Sequence, residues 1–151
     1  MAGPHDDLPG AVLFACTLNA VRSPMAEAIM RHLFGKFVRV ESAGVRGGEL
    51  DPFAVEVMEE IGIDIAAHKP RRLDELEERS FDLVVTLSPE AQHKAVELTR
   101  DSAVAIEYWP TIDPTAMEGS REQCLENYRS VRDALMKRIR ERFAGARASD
   151  T

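Results

Sequence analysis

Residues 11–24 read Ala-Val-Leu-Phe-Ala-Cys-Thr-Leu-Asn-Ala-Val-Arg-Ser-Pro, and this stretch decides the fold class. Its first five residues are an unbroken apolar run, which is typical of a strand buried on both faces of a parallel sheet. Ser23 and Pro24 are residue types that begin helices, serine as the N-cap and proline in the first turn. A buried strand joined to a helix by a short loop predicts an α/β domain.

Strands and helices continue to alternate along the chain. Later strands are predicted at residues 37–40, 81–87 and 104–108, and helices at about 23–35, 51–61, 89–98 and 120–143. We therefore predict one doubly wound domain over residues 11–144, with a four-stranded parallel sheet flanked by helices. Residues 1–10 and 145–151 are expected to be flexible ends.

The composition excludes several classes of protein. Apolar residues make up 44% of the 151 residues and charged residues 30%, as in a globular domain. The net charge of −7 argues against nucleic acid as a partner. No apolar run approaches the roughly 18 residues of a membrane span, and the first residues lack the features of a secretory signal. We expect a cytoplasmic protein without a membrane partner.

The cysteines and histidines are too few and too scattered for a metal site. The two cysteines, Cys16 and Cys124, lie far apart, and the four histidines show no ligand spacing. We expect no disulfide framework, no metal and no cofactor.

Chemistry is concentrated in the loop after the first strand, which has the pattern Cys-x5-Arg-Ser. Such a loop directs backbone N–H groups and a helix N-terminus at one point, as an oxyanion requires. Arg22 can add a planar, bidentate contact, and the same field favours the thiolate form of Cys16. The predicted oxyanion loop comprises Thr17, Leu18, Asn19, Ala20, Val21, Arg22 and Ser23.

Two loop residues have predicted supporting roles. Ser23 is placed to donate a hydrogen bond to the Cys16 thiolate, and Asn19 tolerates the left-handed backbone that a tight anion nest needs. An isolated cysteine at a strand end is usually a small buried apolar residue. Here the arginine, the serine and the following helix start together favour a nucleophile.

Asp113 is the candidate general acid. It lies between Pro110 and Pro114 in a loop that follows the last predicted strand. An Asp-Pro pair alone is more often an ordinary turn. Because the carboxyl ends of parallel strands meet at one edge, however, Asp113 and Cys16 can share a site.

Three motifs together resemble the low-molecular-weight protein tyrosine phosphatase family. They are residues 16–27, Glu41-Ser-Ala-Gly44 and Asp113-Pro114, and the resemblance extends from about residue 11 to residue 143. It implies that Cys16 is the nucleophile, Arg22 the phosphate clamp and Asp113 the general acid. It also implies that Asn19, Ser42 and His68 form a hydrogen-bonded network that holds the loop.

The sequence also departs from this family. Leu18 stands where the family usually has glycine, and Val21 where many members have a second loop cysteine. Residues 45–49 and 115–117 lack the aromatic side chains with which phosphotyrosine-selective members flank the ring. Trp109 or Phe53 would have to supply such a wall.

Residues 81–88 and 109–114 are similar to the thiol-dependent arsenate reductases of the same fold. Arsenate is a tetrahedral oxyanion and would fit the same loop. An internal disulfide relay needs further cysteines. The residue after Thr86 and Leu87 is Ser88, and Cys124 is expected to be packed and inert. A reductase of this sequence would need a small external thiol as partner.

Three functions therefore compete. The first is hydrolysis of a phosphorylated protein or small phosphomonoester through a phosphocysteine on Cys16, with Asp113 as acid and then base. The second is arsenate reduction with an external thiol. The third is a non-catalytic regulator that binds a phosphorylated ligand in the loop.

Overall fold

A computed structural model of the protein describes residues 8–76 and 81–148. Within them the strands are β1 (Ala11–Cys16), β2 (Arg39–Gly44), β3 (Leu83–Thr86) and β4 (Ala105–Tyr108), and the helices are α1 (Arg22–Phe34), α2 (Pro52–Glu59), α3 (Pro89–Leu98) and α4 (Arg121–Ala148). Two short 3₁₀ turns lie at Leu73–Glu75 and Pro114–Ala116. The strands form one parallel sheet in the order β2-β1-β3-β4, which confirms the predicted four-stranded α/β fold.

β1 contributes side chains to two separate cores because successive residues of a strand point to opposite faces. Val12, Phe14 and Cys16 pack with α1, α2 and α4 on one face of the sheet. Leu13 and its neighbours pack with Ala91 and Ala95 of α3 on the other face. Each large side chain that is fully buried in this way contributes roughly 1.5–3 kcal/mol. The sheet is therefore covered on both faces, and its carboxyl edge remains for ligands.

α2 and α3 begin near the predicted positions, and each is capped by a side chain. The Asp51 side chain accepts a hydrogen bond from the Phe53 N–H (2.8 Å), and the Ser88 side chain accepts one from the Ala91 N–H (3.2 Å). At α1 the predicted cap is wrong. Val21 occupies the cap position, and Ser23 lies inside the first turn. Its hydroxyl is hydrogen-bonded to Cys16 and Asn19 and does not cap the helix.

Several boundaries differ from the predictions. β2 begins at Arg39 and continues to Gly44, because it pairs along the full length of β1, from Ala11–Arg39 to Cys16–Gly44. α4 extends to Ala148, so residues 145–148 are helical. The flexible ends expected at residues 1–7 and 149–151 lie outside the described residues. None of the described helices combines the length and apolarity that crossing a bilayer requires.

Several arginines of α4 form ion pairs with carboxylates at or next to α2. Arg129 and Arg132 both contact the carboxylate of Glu60, at the end of α2 (2.8 and 2.9 Å). Hydrogen bonds from Arg129, with a smaller contribution from Arg132, lower the pKa of Glu60 to about 2. Arg121 pairs with Glu56 in the same interface. These three arginines thus join α4 to α2 and to the residue that follows it.

Gly44, the last residue of β2, is pressed against the loop that follows β1. A Cβ atom at this position would lie 2.7 Å from both the Asn19 nitrogen and the Leu18 carbonyl carbon. These are backbone atoms, so the clash could not be relieved by turning a side chain. Glycine is required here for the two chain segments to approach.

We predict that Gly44→Ala destabilises the protein by about 1–3 kcal/mol, because the added methyl overpacks the loop. Gly47→Ala is the matched control. The nearest atom to its Cβ would be Cγ of Arg72, at 3.9 Å. We expect the control to change the free energy of unfolding by less than about 0.5 kcal/mol. Urea unfolding of both variants measures the difference, and equal effects would contradict the close approach.

Candidate active site

The loop from Cys16 to Arg22 lines a cavity of about 620 Å³ at the carboxyl edge of the sheet. Asp113, from the loop after β4, lines the same cavity. The structure therefore brings together Cys16, Arg22 and Asp113, the three residues that the sequence suggested for chemistry. The remaining wall is formed by the β2–α2 loop and the start of α3, namely Arg46, Glu49, Leu50, Asp51, Pro52 and Glu90, with Thr115.

The Cys16 side chain lies at the end of β1 and is almost fully buried. Its Sγ atom is 2.8 Å from the Ser23 hydroxyl and 3.3 Å from the Asn19 nitrogen, whose N–H donates to the sulfur. Hydrogen bonds donated to sulfur stabilise the thiolate. Two potential donors thus converge on the sulfur from the loop that follows it.

Asn19 has a left-handed backbone conformation, with φ of 56°. Its side chain is fully buried and does not line the cavity. The Oδ1 atom accepts from the backbone N–H of Arg71 (2.9 Å) and lies 3.0 Å from Nε2 of His68. Because a backbone N–H can only donate, this contact fixes which end of the amide is oxygen. The Nδ2 group must therefore be the donor to Ser23 and Ser42 (2.8 and 2.9 Å).

A buried carboxylate sets the direction of the remaining hydrogen bonds. Ser42 Oγ donates to Glu27 (2.5 Å), because an ionised carboxylate can only accept. Ser23 accepts from Asn19, so the single proton of its hydroxyl is free to be donated to the Cys16 sulfur. The chain of bonds from Glu27 through Ser42, Asn19 and Ser23 thus ends at the Cys16 sulfur, with the Ser23 hydroxyl proton available to it.

His68 lies at the other end of the Asn19 amide. Its Nε2 atom must carry a proton to donate to the Asn19 oxygen. Burial lowers the pKa of His68, and the cations Arg71 and Arg31 add to this, while Glu27 opposes it. The neutral, Nε2-protonated ring satisfies the contact that the network requires.

Glu27 and Arg71 were not assigned any role from the sequence. Glu27 is 6% exposed and also pairs with Arg31 (2.7 Å), while the Arg71 guanidinium binds the Ser42 carbonyl and Glu41. The available signal for Glu27 was its place in a helix, four residues after Ser23, on the face that is otherwise apolar. A carboxylate on a buried face needs a polar partner.

Arg22 is 8% exposed, and its guanidinium lies between the loop after β4 and the cavity. Nη1 donates to the Thr111 carbonyl (3.0 Å), and Nη2 is 3.9 Å from Oδ2 of Asp113. The carbonyl contact holds the guanidinium plane in one orientation. A planar donor fixed in this way suits two oxygens of a tetrahedral anion.

Asp113 is both a turn residue and a member of the cavity wall. Its Oδ1 atom accepts from the N–H and the hydroxyl of Thr115 (3.0 and 2.7 Å), as in an Asx turn. Its Oδ2 atom is the one near Arg22, and the side chain is 43% exposed. The turn thus holds the carboxylate while one oxygen remains accessible from the cavity.

The rim of the cavity is polar. Arg46, after β2, forms an ion pair with Glu90 of α3 (2.6 Å), which lowers the pKa of Glu90. Among the described residues no aromatic side chain lines this cavity. Trp109 packs on Phe14, and Phe53 packs on Tyr128, so neither supplies the aromatic wall considered above.

The described wall of the cavity contains no second thiol. Position 88 is a serine, and Cys124 lies elsewhere. The Ser88 hydroxyl accepts a hydrogen bond from the Thr17 hydroxyl (3.1 Å), beside the loop. Cys124 is half-buried rather than fully packed, and it lines a different groove, beside Phe53 and Met117. Cys16 is thus the one thiol in the described wall of this cavity.

Comparisons with known proteins find similarity along most of the chain. A sequence model described as low molecular weight phosphotyrosine protein phosphatase matches residues 11–148. The arsenate reductase of Bacillus subtilis (strain 168) is 35% identical over 130 residues, which is 86% of this chain and 92% of that protein. The arsenate reductase of Bacillus licheniformis is 36% identical over 133 residues, with 88% and 94% covered.

Solved structures are similar over most of their length. The low molecular weight protein tyrosine phosphatase from T. tengcongensis is 32% identical with a TM-score of 0.71, covering 85% of this chain and 94% of that one. An arsenate reductase in the phosphate binding state is 27% identical, with a TM-score of 0.70 and coverage of 90% and 98%. An arginine phosphatase with a phosphorylated active-site serine is 26% identical, with a TM-score of 0.73 and coverage of 89% and 94%.

We predict that Ser42→Ala destabilises the protein by about 1–3 kcal/mol, because the buried Glu27 and Asn19 each lose a hydrogen-bond partner. Ser102→Ala is the control, since the Ser102 hydroxyl makes its contact at the surface. The control should change the free energy of unfolding by less than about 0.5 kcal/mol. Urea unfolding at neutral pH measures both, and a similar small loss in each would show that the buried chain does not stabilise the loop.

Proposed function

The chain belongs to the low molecular weight phosphotyrosine protein phosphatase family, and we propose that it hydrolyses phosphomonoesters through a phosphocysteine on Cys16. The observation that carries this proposal is the arrangement of three groups in one cavity. Cys16 lines the cavity at the start of the loop. The Arg22 guanidinium donates to the Thr111 carbonyl, and the Asp113 carboxylate is 3.9 Å from that guanidinium. Substrates are phosphorylated proteins or small phosphomonoesters.

In the first step the phosphoryl group binds in the loop, with two oxygens on Arg22 and the others on backbone N–H groups. The Cys16 thiolate attacks phosphorus as the bond to the leaving oxygen breaks. Asp113, in its protonated form, gives its proton to that oxygen. The products of this step are the alcohol and a thiophosphate ester on Cys16.

In the second step water attacks the same phosphorus. Asp113, now a carboxylate, takes the proton of the water, and the bond between sulfur and phosphorus breaks. The Ser23 hydroxyl, which accepts from Asn19, donates its own proton in a hydrogen bond to the departing thiolate, because a thiolate can only accept. Inorganic phosphate leaves, and both catalytic groups return to their starting states.

Arsenate reduction is the second candidate. It is supported by the 35–36% identity to proteins named arsenate reductase and by a polar cavity that has no aromatic wall in the described residues. Cys16 would displace water from arsenate. An external thiol would then attack the Cys16 sulfur, so that the electron pair of the S–As bond reduces arsenic and arsenite leaves. A second thiol would release Cys16, and the two external thiols would end as a disulfide.

We predict that the wild-type protein turns over p-nitrophenyl phosphate in the presence of a metal chelator, and that Cys16→Ser lowers kcat/KM by at least about 10³-fold. Cys124→Ser is the matched control and should retain full activity. The same three proteins are assayed for arsenite formation with glutathione or mycothiol, coupled to a glutaredoxin. Arsenite without phosphate release would select the second candidate, and phosphate binding without either reaction would leave a binding protein only.

We predict that Asp113→Asn reduces kcat/KM for phenyl phosphate by about 10²–10⁴-fold. The loss for p-nitrophenyl phosphate should be smaller, because nitrophenolate leaves readily without a proton. Steady-state rates on both esters measure the difference, with Asp101→Asn as a control at a position outside the cavity wall. Equal losses on the two esters would indicate that Asp113 only positions Arg22.

A further inference from the structure

A second groove lies between the Trp109–Ile112 segment and α4. Its volume is about 550 Å³, within the range of roughly 300–1,000 Å³ that is usual for small-molecule sites. None of the residues that line it also lines the Cys16 cavity. It is therefore a separate site in the described part of the chain.

The walls of this groove are mainly apolar. Val131 and Leu135 of α4 face Ile112 and Met117 from the loop side. Ile112 is 66% exposed and Met117 is 42% exposed, which are large values for apolar side chains. Asn127 lies in the wall as well. An apolar concave surface with a few polar groups is typical of a ligand site.

One cation, Arg138, lies at the groove. Its guanidinium carbon is 5.1 Å from the centre of the Trp109 ring. The carboxylate of Glu107, beside the same ring, is bound by Arg142 (2.8 Å) and by the Trp109 indole N–H (3.1 Å). In the described residues no carboxylate oxygen lies within 4.0 Å of Arg138, whereas Arg129 and Arg132 have such partners.

We propose that this groove binds a small amphipathic carboxylate, with its apolar body along Val131 and Leu135 and its carboxylate on Arg138. Burial of the alkyl or aryl body supplies most of the affinity, and the guanidinium selects the head group. The net charge of −7 disfavours anions over most of the surface, so a cation in an apolar groove gives this position its selectivity.

The experiment uses octanoate as the probe and the full chain as the protein. Trp109 is the single tryptophan of the sequence and part of the groove wall, so its fluorescence reports occupancy directly. We expect a saturable change with octanoate. Octanol and octylammonium, which have the same chain length without the negative charge, should bind at least about fivefold more weakly. Equal affinity for the three would overturn the proposal.

Two variants locate the binding. Arg138→Gln should weaken octanoate binding by about fivefold, whereas Arg140→Gln, an exposed arginine of the same helix outside the groove wall, should not. Ala134→Phe places a ring in the groove from an exposed helix position and should abolish the fluorescence change, with the circular dichroism and thermal midpoint retained.

Three further results would contradict the proposal. One is unchanged octanoate binding in Ala134→Phe, which would place the ligand elsewhere, including in the Cys16 cavity. Another is an absence of saturable binding to the wild-type chain. The third is a concentration-dependent dimer, seen by sedimentation, that Ala134→Phe dissociates, because a second copy would then be the occupant of the groove.

Discussion

The geometry of the Cys16 loop depends on a single buried amide, that of Asn19. Its oxygen is held by the Arg71 N–H and by His68, and its nitrogen donates to Ser23 and Ser42. An unpaired buried amide would cost free energy, so all of these partners must be present together. The amide therefore links α1, β2 and the segment after α2 to the loop in one arrangement.

This arrangement also determines chemistry, because hydrogen bonds have a direction. The Glu27 carboxylate makes Ser42 a donor, which leaves Ser42 and Ser23 to accept from Asn19. Ser23 then has its proton available for the Cys16 sulfur. The carboxylate is thus linked to the Cys16 sulfur through three intervening side chains without touching it. Such a polar network specifies one conformation only when every member is satisfied.

The loop after β4 lies between the Cys16 cavity and the groove beside α4. On one side the Thr111 carbonyl orients Arg22, and Asp113 faces the Cys16 cavity. On the other side Trp109 and Ile112 form a wall of the groove against α4. Short loops at the carboxyl edge of a parallel sheet can serve two sites in this way because successive residues face different neighbours. Residues 109–113 therefore contribute both to the wall of the Cys16 cavity and to the wall of the apolar groove.

The sequence by itself determined the fold class, the starts of α2 and α3, and the grouping of Cys16, Arg22 and Asp113. These features depend on local signals, since apolar periodicity, cap residues and proline act within a few positions, and parallel strands bring their carboxyl ends to one edge. The tertiary structure alone decided the cap of α1, the extent of β2, the places of Glu27 and Arg71, and the groove beside α4. Each of these depends on contacts between distant residues, such as the pairing of β2 along β1 and the approach of Arg71 to Asn19. Ser23 illustrates the difference. Its residue type predicted a helix cap, whereas in the folded protein its hydroxyl lies in hydrogen-bond contact with the Cys16 sulfur.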